Sequence, residues 1–139
     1  APLYFRDENK GVIGIAHAGW RGILRGIVPE TIAAMQKIGA QINHLRVNTG
    51  PHIQKCHFII TEELLNDFAQ YGNFIQKGRN GYYVDLRSIL IAQLLTYGIG
   101  YNNIAATTEC TYCQSERYFS FRRDKVARNI LAFTWQNRL

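Results

Sequence analysis

Val12-Ile13-Gly14-Ile15-Ala16-His17-Ala18-Gly19-Trp20-Arg21-Gly22 is the stretch whose reading decides the fold. An apolar run ends in a histidine, and a tryptophan-arginine pair flanked by glycines then opens a helical pattern. That order predicts a strand-to-helix junction. The glycines let the backbone turn tightly and let a ligand come close. The histidine brings a metal or proton ligand, the tryptophan a stacking face and the arginine a bidentate anion donor. A satisfied histidine at a strand end beside a core tryptophan accounts for the same residues, and spacing alone leaves both readings open.

Upstream, Leu3-Tyr4-Phe5 and Val12 to Ala16 flank the polar turn Asp7 to Gly11, which has the composition of an antiparallel hairpin. The second strand is apolar on both faces, which predicts a place in the sheet interior, with Gly14 leaving room for a neighbour. Downstream, Leu24, Val28, Ile32, Met35 and Ile38 recur at three- and four-residue steps and predict an amphipathic helix ended by Gly39. Pro29 either kinks that helix or opens a second segment, and a single kinked helix is expected. If the helix begins near Trp20 or Arg21, its first N–H groups point to the His17 corner and favour anions.

Leu45 to Thr49 reads as a strand stopped by Gly50-Pro51. The following loop carries His52, Cys56 and His57, whose spacing matches no standard zinc pattern. It reads as the lining of a pocket, with Cys56 turned inward as a small hydrophobe. Phe58 to Ile60 is a strand, Thr61 caps a helix to about Gln70, residues 74–84 form a hairpin, and Asp85 caps a helix from Leu86 to Tyr97. Asn103 to Thr108 is a further strand. A single CxxC without a second cysteine pair is weak evidence for zinc, so Cys110 and Cys113 read as structural. Phe119-Ser120-Phe121-Arg122-Arg123 reads as a strand entering a pocket that takes a flat ring and a phosphate. Ile130 to Trp135 is expected to close the sheet.

At 139 residues the chain fits one domain, and 47% hydrophobic with 19% charged residues excludes a disordered segment. No apolar run approaches the roughly 20 residues of a membrane span. Three cysteines fit a reducing compartment, and no signal peptide is read at the start, so a cytoplasmic protein is expected. The net charge is +6, and the stretch from Thr111 to Leu139 (Arg117, Arg122, Arg123, Lys125, Arg128 and Arg138 against Glu116 and Asp124) carries +4 of it. An anionic partner is therefore implied, and a nucleic-acid-binding basic domain without catalysis is one alternative.

His17 to Gly22, Gly50-Pro51 with Cys56 following, Asp85-Leu86, Cys110-Thr111, and Phe119 to Asp124 with Arg128 stand in an order that resembles the laccase-domain family, also called multicopper polyphenol oxidoreductase or YfiH-like. The resemblance runs over essentially the whole chain. It implies an α/β (α+β) layered sandwich of mixed β-sheet with flanking helices, and a cytoplasmic zinc-dependent purine nucleoside phosphorylase, acting on a purine nucleoside and phosphate, with adenosine deaminase activity also associated with the family. Copper-dependent polyphenol oxidation, which gave the family its name, is an alternative, although four histidines are few for several coppers. A peptidoglycan-precursor editing hydrolase is a further one.

By resemblance the family's metal is held by two histidines and a cysteine, and His17 matches one of the histidines. The other two belong to Val-His-Gly and Ala-Asp-Cys motifs that do not occur in this sequence. Residues 1–139 are therefore expected to be a single laccase-like domain without its N-terminal part, binding metal weakly and nearly inactive alone. The implied catalytic residues are His17, Arg21 and Cys56. Trp20, Phe119, Ser120, Arg122 and Arg123 would bind substrate and phosphate, and a homodimer fits the resemblance. His57 stands where a second cysteine is common, and Ala127 where glycine is usual.

Overall fold

The computed structural model describes residues 1–136, so Arg138 of the basic tail lies outside the described residues. The chain opens with β1 (Pro2–Asp7) and β2 (Val12–His17), an antiparallel hairpin that pairs Pro2 with His17. Next come α1 (Trp20–Leu24), α2 (Ile27–Lys37) and β3 (Arg46–Thr49), then β4 (Ile59–Ile60), β5 (Ile75–Gly78) and β6 (Gly81–Val84). The chain continues through α3 (Leu86–Thr96), β7 (Ile104–Ala106) and α4 (Phe121–Asp124). One sheet has the order β2-β1-β3-β7, with β3 antiparallel to β1 and parallel to β7. The other is antiparallel, in the order β4-β6-β5. The fold is thus α+β, with mixed and antiparallel sheets and flanking helices.

The period of two in β1 sends Leu3, Phe5 and Asp7 to the interior. Leu3 and Phe5 join Val28, Ile32 and Met35 of α2 in the core. Asp7 is the polar exception. Its carboxylate accepts hydrogen bonds from the Gln41 N–H at 2.8 Å and the Lys10 N–H at 3.1 Å. The Gln41 bond above all holds this carboxyl below the usual carboxylate range. The Asp85 carboxylate caps α3 through the Ser88 N–H at 2.9 Å, and Ile89, Leu90 and Leu94 of that helix are buried.

Several expectations are corrected. β2 is an edge strand among the described residues, and Ile15 is 42% exposed. Its apolar face toward the helices has a specific use at Gly14, where a Cβ would come within 2.5 Å of Met35 Sδ. The kinked helix is two helices. Gly26 adopts φ +84 between them, which glycine reaches at low cost, and Pro29 falls in the first turn of α2, where its missing N–H is not needed. Thr61 makes no side-chain cap, and residues 62–74 form 3₁₀ turns rather than an α-helix. Phe119 to Arg123 is no strand: irregular chain leads into the short α4. Ile130 to Trp135 does not close the sheet but runs as irregular chain, with Leu131 83% and Trp135 71% exposed. Apolar character predicts burial only when a partner surface is present.

Candidate functional site

His17 is the last residue of β2, and α1 starts three residues later at Trp20. Its exposed ring lies back over Gly19, where a Cβ would come within 3.0 Å of His17 Nε2. A side chain at Gly19 would press on the end of that ring and shift it by a few tenths of an ångström. This corner forms one edge of a cavity of about 770 Å³. Trp20, His52, Phe58, Tyr118, Phe119 and Arg122 contribute to the walls, with buried Ser120 between the last two. The volume suits a small organic ligand, and the aromatic faces with a guanidinium suit a flat, anionic one.

The expected site residues separate into three groups. His17, Trp20, Phe119, Ser120 and Arg122 line this cavity together. Arg21 does not line it, but its guanidinium lies 4.3 Å from the Trp20 ring centroid. The tryptophan is further backed by Phe68 at 6.1 Å, so Phe119, 46% exposed, offers the less covered face. Arg122 donates to the Ile59 carbonyl at 2.8 Å. Arg123 is engaged elsewhere: it donates to the carbonyls of Thr111, Tyr112 and Tyr118 and to the Asp124 carboxylate, within 2.7 to 2.9 Å. This arginine braces the segment behind the cavity and does not line it, which corrects its expected phosphate contact.

Cys56 is also away from the cavity, exposed rather than turned inward. It borders a different depression beside the β5–β6 hairpin, with Lys55, Lys77 and Tyr83. Its Sγ lies 3.6 Å from Cys110 Sγ, 3.7 Å from Cys113 Sγ and 3.2 Å from His57 Nδ1. Cys113 Sγ lies 3.4 Å from the same His57 nitrogen. Burial, then hydrogen bonding with the neighbouring thiols, pushes the Cys56 thiol up to about 12. Burial would also raise Cys110, but backbone N–H groups of Gln54, Cys113 and Tyr112 outweigh it and lower that thiol. The sequence contained the signal as two short pairs, Cys56-His57 and Cys110-x2-Cys113. Neither pair is informative until the fold joins them.

His52 stands apart from this cluster. Its Nδ1 is 2.9 Å from the Gly50 carbonyl, and Gln54 Nε2 approaches its Nε2 at 3.3 Å. Burial depresses its pKa to about 4, so the ring is neutral near pH 7. Among the described residues, His17 belongs to no group of three or more metal-capable side chains, and the group that exists is Cys56, His57, Cys110 and Cys113. The described residues do not by themselves fit a metal centre at His17. The basic tail is also partly neutralised, since Arg117 pairs with Glu109 and Arg123 with Asp124.

An α+β sandwich whose aromatic and basic cavity opens where a strand passes into a helix is the class that fold and site define. The chain belongs to the multi-copper polyphenol oxidoreductase laccase family, whose profile matches residues 1–136. A purine nucleoside phosphorylase of Staphylococcus aureus is 31% identical over 97% of this chain and 52% of its own length. An adenosine deaminase from an unknown prokaryotic organism is 27% identical over 88% of the chain and 49% of its own length. The crystal structure of Bacillus licheniformis hypothetical protein YfiH superposes with a TM-score of 0.82 at 27% identity, covering 89% of this chain and 49% of that one. The chain spans about half the length of the relatives it matches. No helix among the described residues is long and apolar enough to cross a membrane.

Proposed function

We propose that the chain carries the nucleoside and phosphate pocket of a cytoplasmic purine nucleoside phosphorylase, as one laccase-like domain. The observation that carries this reading is the convergence of His17, Trp20, Phe119, Ser120 and Arg122 on one cavity large enough for a nucleoside. Relatives named for phosphorolysis and for adenosine deamination support a purine nucleoside as the substrate class.

In this reading the purine stacks on Phe119, and Trp20 supplies a second aromatic wall of the same cavity. The Arg122 guanidinium holds phosphate oxygens behind the ribose, and Arg21, stacked on Trp20 outside the cavity wall, adds positive charge beside it. Phosphorolysis then asks mainly for orientation: a phosphate oxygen bonds to the ribose C1′ as the glycosidic bond breaks, and the base leaves with a proton. By resemblance His17 would contribute to a zinc or copper centre. It is one ligand, so no step is routed through that metal.

The test is phosphate-dependent release of hypoxanthine from inosine, or of adenine from adenosine, by protein extended to the length of its relatives. Arg122→Ala should raise the phosphate KM by about tenfold, the effect of one lost charge-assisted hydrogen bond, with little change for the nucleoside. Equal effects on both substrates would remove the phosphate role. Ammonia release without phosphate would move the reading to deamination.

A further inference from the structure

We propose that Cys56, His57, Cys110 and Cys113 hold one zinc ion in a closed tetrahedral site that clamps the loop after β3 to the segment after β7. The four ligand atoms lie within 4.8 Å of one another. Zinc bonds of about 2.3 Å to sulfur and 2.0–2.1 Å to nitrogen at tetrahedral angles place S···S near 3.8 Å and S···N near 3.6 Å. Four of the six separations are 3.6 and 3.7 Å between sulfurs and 3.2 and 3.4 Å from sulfur to nitrogen, slightly inside those values, and the other two, both from Cys110 Sγ, fall within 4.8 Å. A disulfide would need about 2.05 Å and would leave the third thiol and the imidazole unexplained. The three cysteines are free.

The supports of a metal site are also in place. Each ligand pair sits on a tight turn: His57 N–H donates to the Gln54 carbonyl at 3.0 Å, and Gln114 N–H donates to the Cys110 carbonyl at 3.1 Å. The Gln54 N–H points at Cys110 Sγ from 3.4 Å, the second-shell bond that steadies a bound thiolate. The His57 ring stacks on Tyr112 at 3.8 Å and 14°, which fixes the direction of Nδ1. Three thiolates this close repel one another unless a cation lies between them, and a zinc ion removes that cost by holding all three deprotonated. With three sulfurs and one nitrogen the ligand set is soft and complete, leaving no open position. Its role is structural, separate from the His17 corner.

The clamp matters because of what it joins. One side continues into His52, Ile53 and Phe58, and the other into Thr111 and Tyr118 to Arg122, all of which line the cavity. Zinc would hold the two walls in register without touching the ligand.

The experiment is metal analysis of the purified chain, with Cys113→Ala, His57→Ala and His17→Ala beside it. About one zinc per chain is expected, retained by His17→Ala and lost from the other two variants. Cobalt substitution of the unaltered chain should give thiolate-to-cobalt charge transfer and tetrahedral ligand-field bands, a readout that needs no variant to fold. A chain that takes up no zinc when supplied with it, or copper in its place, overturns the proposal. So does zinc kept by Cys113→Ala and lost by His17→Ala. Nucleoside turnover does not enter these readouts, so failure of the phosphorylase reading leaves them unaffected.

Discussion

The corner at the end of β2 and the corner where loop 50–57 meets residues 110–113 draw on similar ligand chemistry and differ in closure. At the first, His17 and Arg21 are exposed and meet a glycine and an indole rather than another polar group. At the second, three thiols and an imidazole face one another across distances that one ion would span. Residue type is therefore a poor guide to a completed site, and convergence a good one. On the two proposals above, the open corner receives a substrate and the closed corner holds an ion.

Phe68 gives the most demanding check. It is fully buried, meets Trp20 at 6.1 Å and Phe58 at 6.4 Å, and so stands behind the open corner's aromatic wall. Phe68→Ala should cost about 3–5 kcal/mol in urea unfolding. A cost below about 1 kcal/mol would mean that the wall is not backed by the core, and the rigidity assumed for the open corner would fail.

Adjacent arginines sharpen the contrast. Arg123 binds three carbonyls and Asp124, whereas Arg122 makes one bond, to Ile59, and faces the cavity. Arg123→Ala should lower the urea midpoint several-fold more than Arg122→Ala, because it leaves three carbonyls without their shared donor. Comparable losses would place both residues in the framework and take the cation out of the open corner.

The hairpin, the capped α3 and the His17 strand end were legible because each is set by local rules: alternation, a capping carboxylate, a glycine at a turn. What was not legible depended on distance. β2 could not be placed at the edge from its own residues, since edge or centre is decided by which strands pair with it. Gly26 split a regular apolar period that otherwise read as one helix, because its left-handed backbone stops a helix without altering the hydrophobic pattern. The thiol cluster joins residues more than 50 positions apart, and the CxxC at Cys110 and Cys113 is only half of a zinc pattern until the fold brings Cys56 and His57 to it. Arg123 could not be told from Arg122 without knowing which carbonyls lay nearby.

A smaller effect is expected where α3 meets the cavity. Asp85 accepts from the Ser88 N–H at 2.9 Å and the Ser88 hydroxyl at 2.8 Å, and the next residue, Leu86, lines the cavity. Asp85→Ala should cost about 1 kcal/mol, the usual loss of an N-cap, measured by thermal or urea unfolding. If it also weakened binding of a nucleoside to the cavity, the cap would be a positioning device for the open corner as well as a helix stop.

The smallest stability change belongs to the residue with the most chemistry. His17 is exposed at the end of an edge strand, and its ring rests on a glycine that offers no polar partner. Removing it uncovers no buried donor and opens no core cavity, so His17→Ala should shift unfolding by no more than about 0.5 kcal/mol. In protein of full family length the same change should abolish phosphate-dependent nucleoside cleavage while leaving zinc uptake at the proposed Cys56, His57, Cys110 and Cys113 site unaltered. A stabilising residue would give the reverse, a clear loss in urea with turnover kept, and His17 would then be a strand-end packing residue. Little stability cost with full loss of turnover is the signature of a side chain positioned for a ligand rather than for the fold.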